Sequence, residues 1–498
     1  MSASRIWAVQ VRQTRVGDTL AASGASLSAP AANAPAHMTI SRRRFLGSAA
    51  AISLGFSGLA CSQQTSSLRP QSPCARFGPL RDDPDGIIAL PDGFSYQLIS
   101  TSGERMSDGF VVPARHDGMA TFPGPNGMTL LVRNHENNEP APPSSSAFEA
   151  DLSLLSRLDP SLLYDPGAAG VPPYGGTTTL LFDTVNQRLV SHQLSLAGTL
   201  WNCAGGSTPW SSWITCEETV QRAGAVYARD HGYAFEVPAR LDRLPVRPVP
   251  LTAMGRFKRE AIAVHPESGV VYQTEDIVDG LLYRFIPDVP GELARGGRLQ
   301  ALAVRDRPSL DTRNFAGRDI EPGVLMDVEW IDLDDVESPN NDLRHRGYEA
   351  GAARFARGEG IFYGDGEVFV ACTNGGEARK GQIWRYHPSP VEGTTGEREQ
   401  PGALELFIEP NDGTLIENAD NLTVAPWGDL IVCEDGTGDD YLVAVTPEGD
   451  IYQFARNLNS VGEFAGACFS PDGSTFFVNM QVDGWTLAIT GPWTGRGR

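Results

Sequence analysis

The chain has 498 residues, 41% of them hydrophobic, which supplies a large core and exceeds an average single domain unless the fold is a repeat. Its formal net charge is −21, and because residues 1–61 carry six Arg against one acid, the remainder carries −21 − 5 = −26. Such a surface repels nucleic acid and anionic lipid, so no nucleic-acid partner is expected, and it suits calcium, which takes hard oxygen ligands.

At the N-terminus, Ser41-Arg42-Arg43-Arg44-Phe45-Leu46 is followed by the small apolar run Gly47 to Ala60. That is the layout of a twin-arginine export signal, which carries proteins already folded. Residues 1–61 are therefore expected to be an address read by the twin-arginine export machinery, with Met38 as an alternative start, and the mature protein to be periplasmic or extracellular. The apolar run is too short for a committed transmembrane helix, and nothing later supplies one. Gly58-Leu59-Ala60-Cys61 resembles a lipoprotein cleavage box with Gly where a large apolar residue is usual, which makes Cys61 a candidate lipid anchor. The seven cysteines form no C-x-x-C pair and the eight histidines no H-E-x-x-H motif, so a metal site here has to be built mainly from carboxylates.

Residues 62–115 form a lead-in segment rich in Pro and Ser. From 116 to 498 strand-like runs repeat one plan: a strand begun at a polar or acidic residue, a tight turn, and a second strand ending in another polar cluster. The clearest copies run from Arg259-Glu260 through His265-Pro266-Glu267-Ser268-Gly269 to Glu275-Asp276, and from Asp420-Asn421 through Pro426-Trp427-Gly428 to Glu434-Asp435. A third strand then ends at proline, as in Gly280 to Pro287, Gly381 to Pro388 and Asp440 to Pro447. The pattern predicts an all-β fold, a six-bladed β-propeller with long loop insertions over its metal-bearing mouth. The six strand starts are Asp117-Gly118-Met119, Asn202-Cys203-Ala204, Arg259-Glu260-Ala261, Glu359-Gly360, Asp420-Asn421-Leu422 and Ala465-Gly466. The matching ends are Asn134-His135-Glu136, Glu217-Glu218, Glu275-Asp276, Thr373-Asn374-Gly375, Glu434-Asp435 and Asn479-Met480-Gln481. Because paired strands run antiparallel, starts and ends lie on one face, so all twelve clusters are expected at one mouth. The largest insertion, at about 288–352, is expected to form a lid or rim carrying Asp332, Asp334 and Asp335.

A ring of carboxylates cannot stay ionised uncompensated, since like charges a few ångströms apart raise one another's pKa, and cations resolve this. The bland alternative is that each acid caps a strand end and takes backbone hydrogen bonds. Cys203 stands where other blades place carboxylates, and a thiolate among them favours a softer metal such as iron; a small buried thiol is the competing reading. Arg357, two residues before Glu359, is expected near the mouth, where a guanidinium can bind a phosphate oxygen or pair with the surrounding acids. Asn134 could add a neutral donor.

Together Ser41-Arg42-Arg43, Asp117-Gly118-Met119, Asn134-His135-Glu136, Asn202-Cys203-Ala204-Gly205-Gly206 with Thr208-Pro209-Trp210 and Cys216-Glu217-Glu218, Arg259-Glu260, Thr274-Glu275-Asp276, Arg357-Gly358-Glu359-Gly360, Asp420-Asn421 and Glu434-Asp435-Gly436 resemble the PhoX family of bacterial alkaline phosphatases, over roughly residues 75–490. The resemblance implies a six-bladed propeller that hydrolyses small phosphate monoesters with an iron and calcium cluster. It implies Cys203, Glu260 and Glu359 as iron ligands, with Glu136, Glu217, Glu275, Asp276, Asp420, Asn421, Glu434 and Asp435 as the pool of calcium ligands. It implies Arg357 and Asn134 as phosphate binders, in a metal-assisted phosphoryl transfer that needs no protein nucleophile. The mouth positions at Asn374 and Asn479 are neutral, which leaves diesters open as substrates. Two other readings stand beside it: a calcium-dependent propeller hydrolase of lactones, phosphodiesters or organophosphates, which needs neither the cysteine nor the arginine, and a non-catalytic calcium-bound binding propeller.

Overall fold

The structure is a computed structural model that describes residues 76–138 and 141–493. The export signal, Met38, Cys61 and Cys74 lie outside the described residues. The described chain is all-β apart from short 3-10 turns and one α-helix, Leu343–Glu349. No helix among the described residues is long and apolar enough to cross a membrane.

The strands form antiparallel meanders in a propeller-like arrangement. One sheet runs His116–Pro123, Thr129–His135, Gly175–Asp183, Arg188–Thr199, and the next runs Asn202–Ser207, Ser212–Glu217, Ala234–Pro238. Two further meanders begin at Arg259–Val264 and Gly358–Gly364, and their outer edges join where Met326–Asp332 pairs with both Gly297–Val304 and Ala403–Ile408, giving one nine-stranded sheet. A sheet begun by Ala419–Val424 continues outward to Ile451–Asn457 and then to the early strand Ile88–Pro91. The last meander, Phe464–Phe469, Thr475–Met480, Trp485–Thr490, is completed by Ser95–Thr101 from the other end of the chain. Pairing of the early strand Ser95–Thr101 with the last strand, Trp485–Thr490, ties the two ends of the chain together in one sheet.

The inner strands are buried on both faces, because each sheet packs against its neighbours. Apolar runs therefore replace strict alternation. One core cluster joins Ala261 and Tyr272 to Val370, Trp384 and Leu404 across two meanders. Another joins Cys433, Leu442 and Phe454 to Phe476 and Leu487.

The segment at 288–352 divides between the outer edge of the sheet and the side where the inner strands begin. Its strands Gly297–Val304 and Met326–Asp332 lie at the outer edge, while the turn at Val336 to Ser338, held by Arg256, and Arg313 and Arg344, which bond Val278 O and Asp279 just after the Glu275 strand end, come to the side where inner strands begin. Asp332 accepts from Arg298 and Gln300, and Asp334 pairs with Arg346, so these acids join no central cluster. An outer strand that pairs with Ala403–Ile408, far along the chain, reads in sequence as an insertion because nothing local announces its partner.

Candidate functional site

Every inner hairpin carries the same irregularity at its start. Arg259 faces Glu275, and the next registered pair is Ile262 with Gln273, so three steps along the inner strand oppose two along its partner. The shift recurs between His116 and Met119, Asn202 and Gly205, Gly358 and Ile361, Ala419 and Leu422, and Ala465 and Cys468. One extra residue per strand is a β-bulge, which breaks the ladder and re-aims a side chain. The first bulged residues are Asp117, Cys203, Glu260, Glu359, Asp420 and Gly466. Five of the six bear a metal-ligating side chain at one level of the axis.

The inner strands approach one another closely at this level. A Cβ on Gly360 would lie 2.5 Å from the Asp420 carbonyl oxygen, and one on Gly466, at φ +63°, would lie 2.4 Å from that of Asp117. Residues without a Cβ let neighbouring backbones close, which brings the bulged side chains together.

The second strands complete the ring with the residue just after their last pair: Glu136, Glu218, Asp276 and Asp435. Ligand atoms of Cys203, Glu218 and Glu260 lie within 4.8 Å of one another, as do those of Glu260, Glu359 and Asp420, of Asp117, Glu136 and Glu463, and of Asp420, Asp435 and Glu463. Shared members chain these groups together along the axis. Beyond the bulges the axis continues as an apolar cavity of about 330 Å³ lined by Met119, Ile262, Ile361, Leu422 and Cys468. Polar groups are thus concentrated at one end.

Burial and mutual repulsion hold most of these acids protonated well past their usual range. Burial first, then the Glu359 and Glu218 charges, pushes Glu260 well up, and burial with Asp276 and Asp420 does the same to Glu359. Glu218, Asp117 and Glu463 rise likewise, Glu136 to about 7 and Asp420 to about 6. Burial and the surrounding acids push the Cys203 thiol up as well; its Sγ lies 3.5 Å from the Glu260 carbonyl oxygen. The donor set of carboxylates and one thiol fits divalent or trivalent cations, whose charge would let these groups ionise.

Asp276 alone goes the other way. Burial pushes its carboxyl up, but hydrogen bonds and charge from Arg357, with Lys258 adding to them, hold it well below the usual range. Arg357 donates from Nε to Asp276 Oδ1 (2.7 Å) and from Nη2 to Glu359 Oε1 (2.7 Å). Lys258 donates to Glu218 Oε1 (2.6 Å) and Asp276 Oδ2 (3.1 Å).

Several residues expected at the mouth are used elsewhere. Asn134 is fully buried; its Nδ2 donates to the carbonyls of Cys203 and Ala204 and its Oδ1 accepts from Trp213 Nε1, so no amide group is left for a phosphate. Glu217 accepts from the amides of Leu200, Gly232 and Tyr233, and His231 Nδ1 lies 2.7 Å from its Oε1. Glu275 accepts from Leu281 N and Tyr283 OH, and Glu434 from Glu417 N and Tyr441 N. These three glutamates end their strands and point into the sheets, whereas the next residue points to the axis, because successive side chains alternate. Asn421 Oδ1 accepts from Gly466 N and stitches neighbouring inner strands. Asp117, Glu218 and Glu463 were not in the expected ligand set. The position after each strand end would have identified Glu218, and the bulge position Asp117; Glu463 precedes the one bulge occupied by glycine.

A family model described as alkaline phosphatase PhoX matches residues 75–153 and 182–484. A search of curated proteins returned no match. Among solved structures, Pseudomonas fluorescens PhoX in complex with vanadate, a transition-state analogue, superposes with a TM-score of 0.61 at 18% identity, covering 82% of this chain and 96% of that one. A gluconolactonase from Xanthomonas campestris superposes with a TM-score of 0.37 at 12% identity, covering 85% and 99%. The first of these shares the fold, and the family match spans most of the chain: the protein belongs to the alkaline phosphatase PhoX family and is a phosphomonoesterase.

Proposed function

We propose that the protein hydrolyses small phosphate monoesters at a cluster of iron and calcium ions held on the axis of a six-bladed propeller. The six bulged hairpins support the blade count, each supplying one inner and one second strand. Residues 116–498 would be the catalytic propeller, to which the 62–115 lead-in adds the outer strands Ile88–Pro91 and Ser95–Thr101, and 1–61 a twin-arginine signal that delivers it to the periplasm or beyond, with Cys61 the candidate anchor. Cys203, Glu260 and Glu359 would hold iron together with Glu218. Glu136, Asp420 and Asp435, joined by Asp117 and Glu463, would hold calcium.

Bound there, the ions supply Lewis acidity and neutralise charge on the phosphoryl oxygens. The chain's own part is positioning. Arg357 is one-third exposed, fixed by Asp276 and Glu359, and its Nη1 has no hydrogen-bond partner among the described residues. That leaves an oriented N–H for a phosphoryl oxygen, a charge-assisted bond that strengthens as negative charge shifts in the transition state. Asp117 accepts from Gln481, and Glu136 from Gln481 and Trp201, which fixes both carboxylates before any ligand arrives.

The observation that carries the reading is the convergence of five bulged ligand residues, one of them a cysteine, beside an arginine with a free donor. The test is hydrolysis of p-nitrophenyl phosphate at alkaline pH by the metal-loaded protein, before and after calcium chelation, with iron content measured in parallel. Activity that falls with chelation in an iron-containing protein is expected. Hydrolysis that persists without metal, or bound calcium with no iron, would overturn the mixed cluster.

A further inference from the structure

We infer that Lys258 is a second phosphate-binding cation and that Asp276 is the positioning residue that holds it beside Arg357, in place of serving as a metal ligand. The inference rests on the phosphatase reading and concerns how its substrate is gripped.

Lys258 and Arg357 occupy equivalent places in neighbouring meanders. Each directly precedes the first paired residue of an inner strand, Arg259 in one case and Gly358 in the other. Between them lies Asp276, the residue just after the end of the second strand at Glu275. Its backbone N–H donates to the Lys258 carbonyl (3.0 Å), and the Arg357 N–H donates to the carbonyl of the following residue, Ile277 (3.0 Å). Backbone and side chains thus bind the three residues into one unit.

Both Asp276 oxygens are taken by cations. Oδ1 accepts from Arg357 Nε, and Oδ2 from Arg357 Nη2 (3.3 Å) and Lys258 Nζ (3.1 Å). Asp276 is also missing from every group of acids whose ligand atoms come within 4.8 Å of one another. A carboxylate already neutralised by two cations has little to offer a metal ion, and it does a different job well: it keeps two mobile side chains at one place.

Exposure tells which groups meet a substrate. The side chains of Lys258 and Arg357 are 30% and 34% exposed, against 8% for Glu218 and 7% for Asp276. The ammonium has three protons, two of them used on Glu218 and Asp276, and the Trp201 ring lies 5.6 Å from its Nζ. A phosphate monoester carries close to two negative charges at alkaline pH. Beside the metal ions, Arg357 and the lysine held by the same carboxylate each offer a charged N–H to its oxygens.

The test uses the full metal-loaded protein and Lys258→Met, Lys258→Arg and Asp276→Asn variants. Three quantities are read: the KM and kcat for p-nitrophenyl phosphate, the inhibition constant of inorganic phosphate, and metal content. Lys258→Met is expected to keep its metal and to raise KM and the phosphate inhibition constant roughly tenfold, the size of one lost charge-assisted bond. Lys258→Arg should recover part of that loss. Asp276→Asn should weaken phosphate binding with metal content unchanged. An unchanged phosphate constant in Lys258→Met, or metal lost in Asp276→Asn, would overturn the inference. A wild-type protein that hydrolyses no phosphate ester would overturn the phosphatase reading instead. Should the variants fail to fold, acylation of Lys258 in the wild type decides: inorganic phosphate should protect that amine, and equal labelling with and without phosphate would refute the contact.

Discussion

Replacing Gly360 by alanine should break the metal centre without touching any of its ligands. The added Cβ would lie 2.5 Å from the Asp420 carbonyl oxygen, 2.9 Å from Asn421 Cα and 3.0 Å from Leu422 N. All three are backbone atoms, so no flexible side chain can yield. Ordinary contact begins at 3.4 Å, so the two inner strands must part by 3.4 − 2.5 = 0.9 Å. Glu359 and Asp420 sit on those strands beside that contact, and metal–ligand distances tolerate only about 0.2 Å. Overpacking of this kind costs about 1–3 kcal/mol, which a chain of this size survives. Metal analysis and hydrolysis assays on Gly360→Ala should therefore show metal content down by at least one ion and activity down more than tenfold in a folded protein. Gly224→Ala is the control, because its nearest neighbour would be 3.9 Å away. Wild-type metal content and activity in Gly360→Ala would refute the claim that strand closure at the bulges assembles the site.

Chelated protein should lose stability as pH rises. The folded acids keep their protons past the pH at which the unfolded chain releases them, so their contribution is full below about pH 4 and is lost through pH 6–7, where Asp420 and Glu136 titrate. The rise of Glu136 from 4.5 to about 7 alone corresponds to about 3 kcal/mol. The gap in Tm between metal-loaded and chelated protein should widen from pH 5 to pH 8, and a constant gap would contradict the buried-acid account. The opposite sign applies at His116, His135 and His192, which burial first and then the Arg133 charge hold neutral. Their contribution is full above the ordinary histidine pKa of about 6.5 and is lost below it, at about 4 kcal/mol per pH unit for three protons. His192→Asn should make the acid limb of urea stability shallower in metal-loaded protein by the share of one proton, about 1.4 kcal/mol per pH unit, and an unchanged limb would exclude His192 as a contributor. Cys203→Ser should lower iron content and leave calcium, since a hydroxyl is a poorer soft ligand than a thiolate; iron retained in full would remove Cys203 from the ligand set.

Turn residues and strand ends made most of the architecture readable. His265-Pro266-Glu267-Ser268-Gly269 falls between Arg259–Val264 and Val271–Glu275, and the third strands at Tyr283–Pro287, Gln382–His387 and Tyr441–Val445 lie where the aromatic runs ending at proline placed them. The antiparallel argument that put starts and ends on one face holds in the registers of all the inner hairpins. Choosing between Glu217 and Glu218 was harder, because a one-residue step along a strand reverses which way a side chain points. The bulges that turn Asp117 and Glu260 to the axis follow from register and packing, neither of which composition reports. Asn134 carries the right chemistry for a phosphate donor, yet the carbonyls of Cys203 and Ala204, 69 and 70 residues away in sequence, take its Nδ2 protons. Glu463 belongs to the site through the fold, since the acid comes from the loop before a strand whose own bulge holds glycine.

The most direct test of a metal cluster built on bulged inner strands is a crystal structure of the metal-loaded protein with anomalous data on both sides of the iron edge. The account predicts iron within bonding distance of Cys203 Sγ and the carboxylates of Glu260 and Glu359, with calcium among Asp117, Glu136, Asp420, Asp435 and Glu463. Metal found instead at Glu217, Glu275 or Glu434, or an axis without iron, would contradict it.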